Sequence, residues 1–417
     1  MLKRSNKLMA LFSLLVIAAV MLAACTPATA TEAPQPTAVP PTAVPPTAVP
    51  PTAVPPTEEP TEVPVVELKI AFLGPITGPA ASLGTEQLAF ARVAVVAFNT
   101  LHAGKYHATL VEEDTDITPD KATPVCQKDA DDQTILGIVG PAGSGQVEAC
   151  AQILEDAGLV HVSGSATRPS LAQQGNKTFF RVVPNDDVQS LTDATYIAET
   201  IGAKTVYVID DQESYGTNLA DSVDKVLKEK GVKTERASVS QQDNDFSALV
   251  TKIKASNAEL VFMAGQVPSQ GALLAKQLKE QGVDIPVFGG DGFYSQTDYI
   301  DGAGGATEGS YASVFFPDIR AIQDPQVALL IAAADQAFPA WGNFGPPTGI
   351  AALVILEAAV RANEAGQLDR AGVLAEVAQT DADLFGLHFK FDETGEVAGA
   401  AFVISQVENG KFTQVFP

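Results

Sequence analysis

The chain has 417 residues, with 50 acidic side chains against 26 basic ones and a formal net charge of −24 at pH 7. That balance argues against nucleic acid and against anionic lipid surfaces as partners, and it suits a protein kept soluble outside the cell. Its three cysteines leave room for one disulfide and one other use.

Lys3, Arg4 and Lys7 form a basic start, an uncharged apolar stretch runs from Leu8 to Val20, and Leu22, Ala23, Ala24 and Cys25 complete a bacterial lipobox. Residues 1–24 therefore read as a lipoprotein signal peptide and Cys25 as the site of lipidation. The short apolar region and its charge placement argue against an ordinary anchor helix, and no later apolar run approaches the ~18 residues a membrane span needs. Residues 25–66 then read as the lipidated cysteine and a Pro/Thr-rich linker, in which Pro-Thr-Ala-Val-Pro occurs four times between Pro36 and Pro55. Proline fixes φ and removes donors, so the linker is expected to be a disordered, extended tether reaching up to roughly 120 Å at ~3.1 Å per residue. The expected location is extracytoplasmic, lipid-anchored to the cell membrane, at the cell surface or in a periplasm.

From Glu67 onward β-branched runs alternate with helical patterns. Strands are expected at Leu68 to Leu73, Thr109 to Glu112, Leu136 to Val139 and Val160 to Val162, with crossover helices near Gly84 to Leu101, Pro119 to Asp131 and Gly145 to Ala157. This alternation predicts a parallel, doubly wound sheet. After Phe179 to Pro184 the pattern restarts, with strands at Val206 to Asp210, Val261 to Ala264 and Val287 to Gly289 and helices near Tyr215 to Lys230, Phe246 to Ser256 and Pro268 to Gln281, giving a second sheet of similar size. Gly202, Gly231 and Gly282 sit where left-handed helix stops are expected. Ala321 to Val377 reads as helical, and the last 30 residues as two short strands, Leu387 to Phe391 and Ala401 to Val407, joined by a turn at Asp392 to Gly395. Cys126 and Cys150 fall on helices flanking one strand, and either a disulfide or two reduced, buried thiols fits that placement.

Reactive groups for an enzyme are hard to find. There is no Gly-x-Ser-x-Gly elbow, no Walker loop and no complete Gly-x-Gly-x-x-Gly after a strand, and the four histidines stand apart. No catalytic residue, cofactor or metal is expected. Several loops at the carboxyl ends of the strands are instead rich in glycine and hydroxyls, at the edge where doubly wound sheets bind ligands. They are Gly140 to Gly145, Ser163 to Arg168, Asp211 to Gly216 and Gly289 to Gly292. Each alone fits a tight turn; four of them suggest one site.

The run Ile70 to Pro79 with Gly84, then Ile138 to Ser144, Ser163 to Thr167, Asp210 to Gly216, Asp245 to Ser247 and Gly289 to Asp291 resemble, in order and spacing, the branched-chain amino-acid-binding proteins of ABC transporters, which have the type I periplasmic-binding fold. The likeness runs from about Glu67 to the C-terminus. It implies two doubly wound α/β lobes joined by a hinge around a central cleft, with an N-terminal lobe at 66–184 plus 314–392 and a C-terminal lobe at 185–313 plus 393–417. It also implies that Ser144 and the backbone of Ser165 receive an α-carboxylate, that Thr167 binds through hydroxyl and backbone, that Asp291 pairs with an α-ammonium, and that Tyr215 closes over the ligand. Two positions depart from the family pattern: Leu83 stands where an aromatic side chain is common, and Gln266 near a position often taken by tyrosine. Asp291 is one methylene shorter than the glutamate frequent there.

The function these readings favour is a monomeric extracytoplasmic solute-binding lipoprotein of an ABC importer. It would take an amino acid, branched-chain or otherwise apolar, close its lobes and deliver the ligand to permease subunits, touching the membrane through its lipid only. Weighed against it are a binding protein for an amide, urea or aromatic acid, a ligand sensor without transport, an extracytoplasmic hydrolase and a structural surface protein.

Overall fold

The computed structural model describes residues 64–417 except 174, 316–318, 324, 340 and 385. The leader, Cys25 and the linker up to residue 63 lie outside the described residues.

The first sheet has five parallel strands in the order β2-β1-β3-β4-β5. They are β1 (Val66–Gly74), β2 (Tyr106–Asp114), β3 (Ile135–Val139), β4 (His161–Ser163) and β5 (Phe179–Arg181). Strand β3 reads ILGIV and is buried throughout, as a central parallel strand covered on both faces must be. Its crossovers are α1 (Ala81–Leu101), α2 (Pro119–Asp131), α3 (Ser144–Asp156) and a single turn, α4 (Ser170–Gln173). Helix α2 starts at Thr118 with proline in its first turn, where the missing N–H costs nothing. A disulfide joins Cys126 on α2 to Cys150 on α3, with Cα atoms 5.8 Å apart. It sits in a buried cluster with Ala71, Leu73 and Ile138 beneath the sheet.

The second sheet is larger than the first, with seven strands in the order β14-β13-β10-β9-β8-β6-β7. Strands β6 (Thr205–Asp210), β7 (Lys233–Ser238), β8 (Leu260–Ala264), β9 (Val287–Gly289) and β10 (Tyr311–Phe315) run parallel. Helix α5 (Asp186–Thr195) leads from β5 into this sheet, and α6 (Ser214–Glu229), α7 (Ser247–Ser256) and α8 (Pro268–Glu280) connect β6 to β9 in turn. Gly202, Gly231 and Gly282 take φ of 77°, 80° and 70° at the ends of their helical runs, the conformation a side chain would oppose.

The chain then returns to the first lobe. Helices α9 (Pro325–Ala337), α10 (Gly345–Glu364) and α11 (Arg370–Ala378) follow. Helix α10 packs on α1, β1, β3 and β4, and its Ile350, Ile355 and Leu356 share the main core with Phe72, Phe90 and Val160. The C-terminal strands differ from the sequence expectation. The turn at Asp392 to Gly395 exists, closed by Gly395 N–H donating to the Asp392 carbonyl at 3.1 Å, but the strands on either side enter different sheets. Strand β12 (Leu387–Lys390) pairs with β11 (Asp381–Leu384), whereas β13 (Phe402–Glu408) joins the seven-stranded sheet antiparallel to β10 and to β14 (Lys411–Phe416). Each strand instead finds its local partner on its far side, β11 before β12 and β14 after β13, so the turn at Asp392 to Gly395 does not join two paired strands.

Arg181, fully buried at the end of β5, holds the crossing segments together. Its Nε donates to Glu396 Oε2 at 2.8 Å, Nη2 donates to Glu396 Oε1, and Nη1 donates to the carbonyls of Ala166 and Arg168 at 3.1 and 2.8 Å. Removing Glu396 would strand the buried Arg181 charge, a change that costs about 3–5 kcal/mol.

Candidate functional site

One cavity is walled by both lobes. From the first come Pro75, Ala80, Leu83, Gln87, Ile117, Ala142, Gly143, Ser144, Ser165 and Phe344; from the second, Tyr215, Gln266, Asp291 and Gly292. Of the residues singled out in the sequence, Leu83, Ser144, Ser165, Tyr215, Gln266 and Asp291 are thus brought to one place. Thr167 is buried next to them without lining the cavity: its hydroxyl faces the Asp186 carboxyl but makes no well-formed hydrogen bond.

The first-lobe wall is an amide-rich helix start. Gly143 precedes α3, and its N–H donates to Gln146 Oε1 at 3.1 Å, which fixes the first turn. The N–H groups of Ser144 and Gly145 have no acceptor among the described residues, and Ser144 lines the cavity, so the positive end of α3 lies at its wall. Ser144 Oγ accepts from Arg168 N–H at 3.3 Å. Ser165 is more constrained than the sequence suggested, because its hydroxyl donates to the Ala142 carbonyl at 2.8 Å and accepts from Gln87 Nε2 at 2.7 Å, and its N–H donates to Ser163 Oγ at 3.3 Å. Its carbonyl is the group left for a guest. At the mouth, Asp116 and Ile117 both adopt positive φ, 46° and 57°. A β-branched residue in that region costs on the order of 1–2 kcal/mol, and Asp114 Oδ1 holds the turn by accepting from Ile76, Thr77 and Asp116 N–H at 3.0 to 3.1 Å.

The second-lobe wall is acidic. Asp291 follows β9, is 3% exposed, and accepts a 2.5 Å hydrogen bond from the Tyr215 hydroxyl. Burial pushes its carboxyl up to about 6, with hydrogen bonds from Tyr215 and Gln189 acting the other way. The immediate task of Tyr215 is therefore to orient Asp291. Behind it, Asp186, Gln189 and Asp193 fall on one face of α5; burial pushes Asp186 up to about 7 and raises Asp193 well above the usual carboxylate range. Gln189 Nε2 donates to Ser313 Oγ at 2.9 Å and Ser313 Oγ donates to Asp193 Oδ2 at 2.9 Å. A wall of buried carboxyls with Arg181 as the nearby cation is a place where a positive guest is favoured.

Three residues also bridge the lobes beside the cavity. Arg168 Nη1 donates to Ser214 Oγ at 2.8 Å and to the Ser214 carbonyl at 3.2 Å, Ser214 Oγ donates to Glu148 Oε2 at 2.7 Å, and Arg168 Nε lies 3.3 Å from Glu148 Oε1. Sequence reasoning missed this bridge, the α5 stripe, Gln87 and Phe344. Gln87 was within reach, since it lies one turn from Leu83 on α1. Among the described residues no cluster of three or more His, Cys, Asp or Glu side chains is placed to hold a metal, and no helix is long and apolar enough to cross a membrane.

Residues 67–411 match the family model described as periplasmic binding protein. The Leucine-, isoleucine-, valine-, threonine-, and alanine-binding protein of Pseudomonas aeruginosa is 32% identical over 345 residues, 81% of this chain and 89% of that one. Among solved structures, the leucine binding protein LivK from Thermotoga maritima superposes with a TM-score of 0.76 at 24% identity, covering 84% of this chain and 97% of that one. The branched-chain amino acid transporter substrate binding protein LivJ from Streptococcus pneumoniae, in complex with isoleucine, gives 0.74 at 22% identity and covers 84% and 100%. At these identities the structural likeness fixes the fold and nothing finer. With its two α/β lobes and shared cavity, the chain belongs to the periplasmic binding protein family, among the branched-chain amino-acid substrate-binding proteins of ABC transporters, and has the type I fold.

Proposed function

We propose that the protein captures an α-amino acid between its lobes as the extracytoplasmic receptor of an ABC importer. The observation that carries this reading is the pairing of opposite electrostatic walls in one cavity. The Ser144 amide on the cavity wall, with the Gly145 amide next to it at the start of α3, suits a carboxylate. The buried Asp291 carboxyl, oriented by Tyr215, suits an ammonium. A zwitterion answers both; a simple acid or a simple amine answers one. The names of the relatives point the same way.

In this reading Ser144 and the helix amides hold the carboxylate, Asp291 and the Ser165 carbonyl hold the ammonium, and Thr167 supports the seat from behind through Asp186. Pro75, Leu83, Ile117 and Phe344 supply apolar contact. Hinge bending moves a body of residues 66–184 plus 314–392 against one of 185–313 plus 393–417, and the ligand favours the closed form because only there do both walls reach it. The closed form then docks on permease subunits. Cys25, after removal of residues 1–24, carries the lipid, and the proline-rich linker spaces the receptor from the membrane. Cys25→Ser releases the protein from the membrane fraction if this holds; continued membrane association refutes the anchor.

Isothermal calorimetry against the common α-amino acids, their amides and their decarboxylated amines tests the central part. Binding of α-amino acids, with loss on removing either the carboxylate or the ammonium and loss in Asp291→Ala, supports it. Tight binding of a ligand lacking one of the two charges overturns it.

A further inference from the structure

With its charged head placed between α3 and Asp291, an amino acid must send its side chain toward the remaining cavity wall. Beside the apolar Pro75, Leu83, Ile117 and Phe344, that wall carries two carboxamides, Gln87 and Gln266. The Gln266 backbone is anchored by its N–H donating to Asp211 Oδ2 at 3.2 Å, but its carboxamide makes no hydrogen bond to any described residue. It reaches across to the first lobe, since a Cβ added at Gly143 would stand 3.4 Å from Gln266 Oε1. Gln87 is only 3% exposed and uses Nε2 on Ser165 Oγ, leaving Oε1 without a donor among the described residues.

Closing the lobes over an aliphatic side chain would gain apolar contact but would take water from the two carboxamides without returning a hydrogen bond to either. An amide buried without a partner carries a substantial penalty, whereas a hydroxyl or carboxamide on the guest restores the lost bonds. Sites built to bond a polar group reject analogues that lack it far more strongly than apolar pockets reject an extra methylene. Gln266 is half-buried and free to reorient, and a carboxamide offers both a donor and an acceptor.

We propose that Gln266, seconded by Gln87, selects neutral α-amino acids whose side chain carries a hydroxyl or carboxamide, such as threonine, serine, asparagine or glutamine, over leucine, isoleucine and valine. The proposal rests on the reading that an α-amino acid is the ligand. It departs from the aliphatic preference that the sequence resemblance suggested.

The test is a calorimetric panel of those seven amino acids on the wild-type protein, Gln266→Leu and Gln266→Asn, each first checked for an unchanged melting transition. The expected wild-type result is at least about tenfold tighter binding of the best polar ligand than of any aliphatic one. Gln266→Leu should move the ratio of polar to aliphatic affinity about tenfold or more toward the aliphatic set, and Gln266→Asn should keep much of the wild-type order. The proposal is overturned if an aliphatic amino acid binds the wild type as tightly as every polar one, or if Gln266→Leu leaves the ratio within about twofold. Failure of every α-amino acid to bind any variant or the wild type sinks the underlying amino-acid reading, and this proposal with it.

Discussion

Asp291→Asn removes one charge while keeping the shape and an oxygen that can still accept from Tyr215. In the empty protein burial pushes the Asp291 carboxyl up to about 6, so both protonation states are populated near neutrality. An ammonium guest requires the ionised form, and binding must therefore release a proton at pH values below about 6. The apparent affinity of the wild type should be nearly flat above about pH 7 and weaken about tenfold by pH 5. In Asp291→Asn a buried ammonium faces a neutral amide, and leaving one partner of a buried pair unmatched costs about 3–5 kcal/mol, or on the order of a hundred- to several-thousandfold in Kd. The variant should also lose the pH dependence between about 5 and 7 that Asp291 causes. Calorimetry from pH 5 to 8, with the tightest amino acid of the panel, measures both effects. An affinity within about threefold of wild type, or an unchanged pH profile, refutes the assignment.

Arg168→Ala breaks the bridge to Ser214 and Glu148 without touching the guest; because these groups are partly exposed, it should weaken binding only about three- to tenfold, through faster release. Stopped-flow kinetics showing a slower on-rate with unchanged release would contradict that. Cys126→Ser with Cys150→Ser should lower unfolding free energy by roughly 3 kcal/mol, as expected for a loop of this length, while leaving saturable ligand binding intact; equilibrium denaturation reads the difference. Burial pushes Glu86 and Asp186 up to about 7 and Asp211 to about 6. The folded state then keeps protons that the unfolded chain gives up above about pH 4, so these groups lower stability as pH rises toward about 7. Buried His161, pushed down to about 4 from 6.5, acts in the opposite sense below 6.5, since unfolding lets it take up a proton. The carboxyls outnumber it, and the ligand-free protein should melt at a higher temperature at about pH 5.5 than at pH 8; calorimetric scans giving the reverse order would refute this balance.

The elements most legible in the sequence were those whose pattern is set by burial on both faces. Strands β3 and β8 are unbroken apolar runs, and α2 is bounded by Thr118 and Pro119 at one end and an acidic stretch at the other. Strand β7, by contrast, reads KTERAS and lies at a sheet edge, where half-exposed polar side chains erase the apolar signal. The C-terminal strands were found, but their pairing was hidden because β13 seeks β10, which lies far back in the chain. The same limit applies to the site. Ser144 and Asp291 directly follow strand-end turns whose glycines mark the ligand edge of each sheet, so position in the sequence sufficed. Phe344 arrives from the returning helices, and the bridge from Arg168 to Ser214 joins a loop of one lobe to the start of α6 in the other. Nothing local in those residues announces a partner; the fold alone supplies it. Tyr215 shows the difference in kind: its presence near the site could be anticipated, but its hydrogen bond to Asp291 could not.

A crystal structure of the protein saturated with its tightest-binding amino acid addresses the account most directly. The result expected is a guest enclosed by both lobes, its carboxylate on the Ser144 and Gly145 amides and its ammonium within about 3 Å of an Asp291 oxygen. A guest bound elsewhere, or one in this cavity with its ammonium turned away from Asp291, would contradict it.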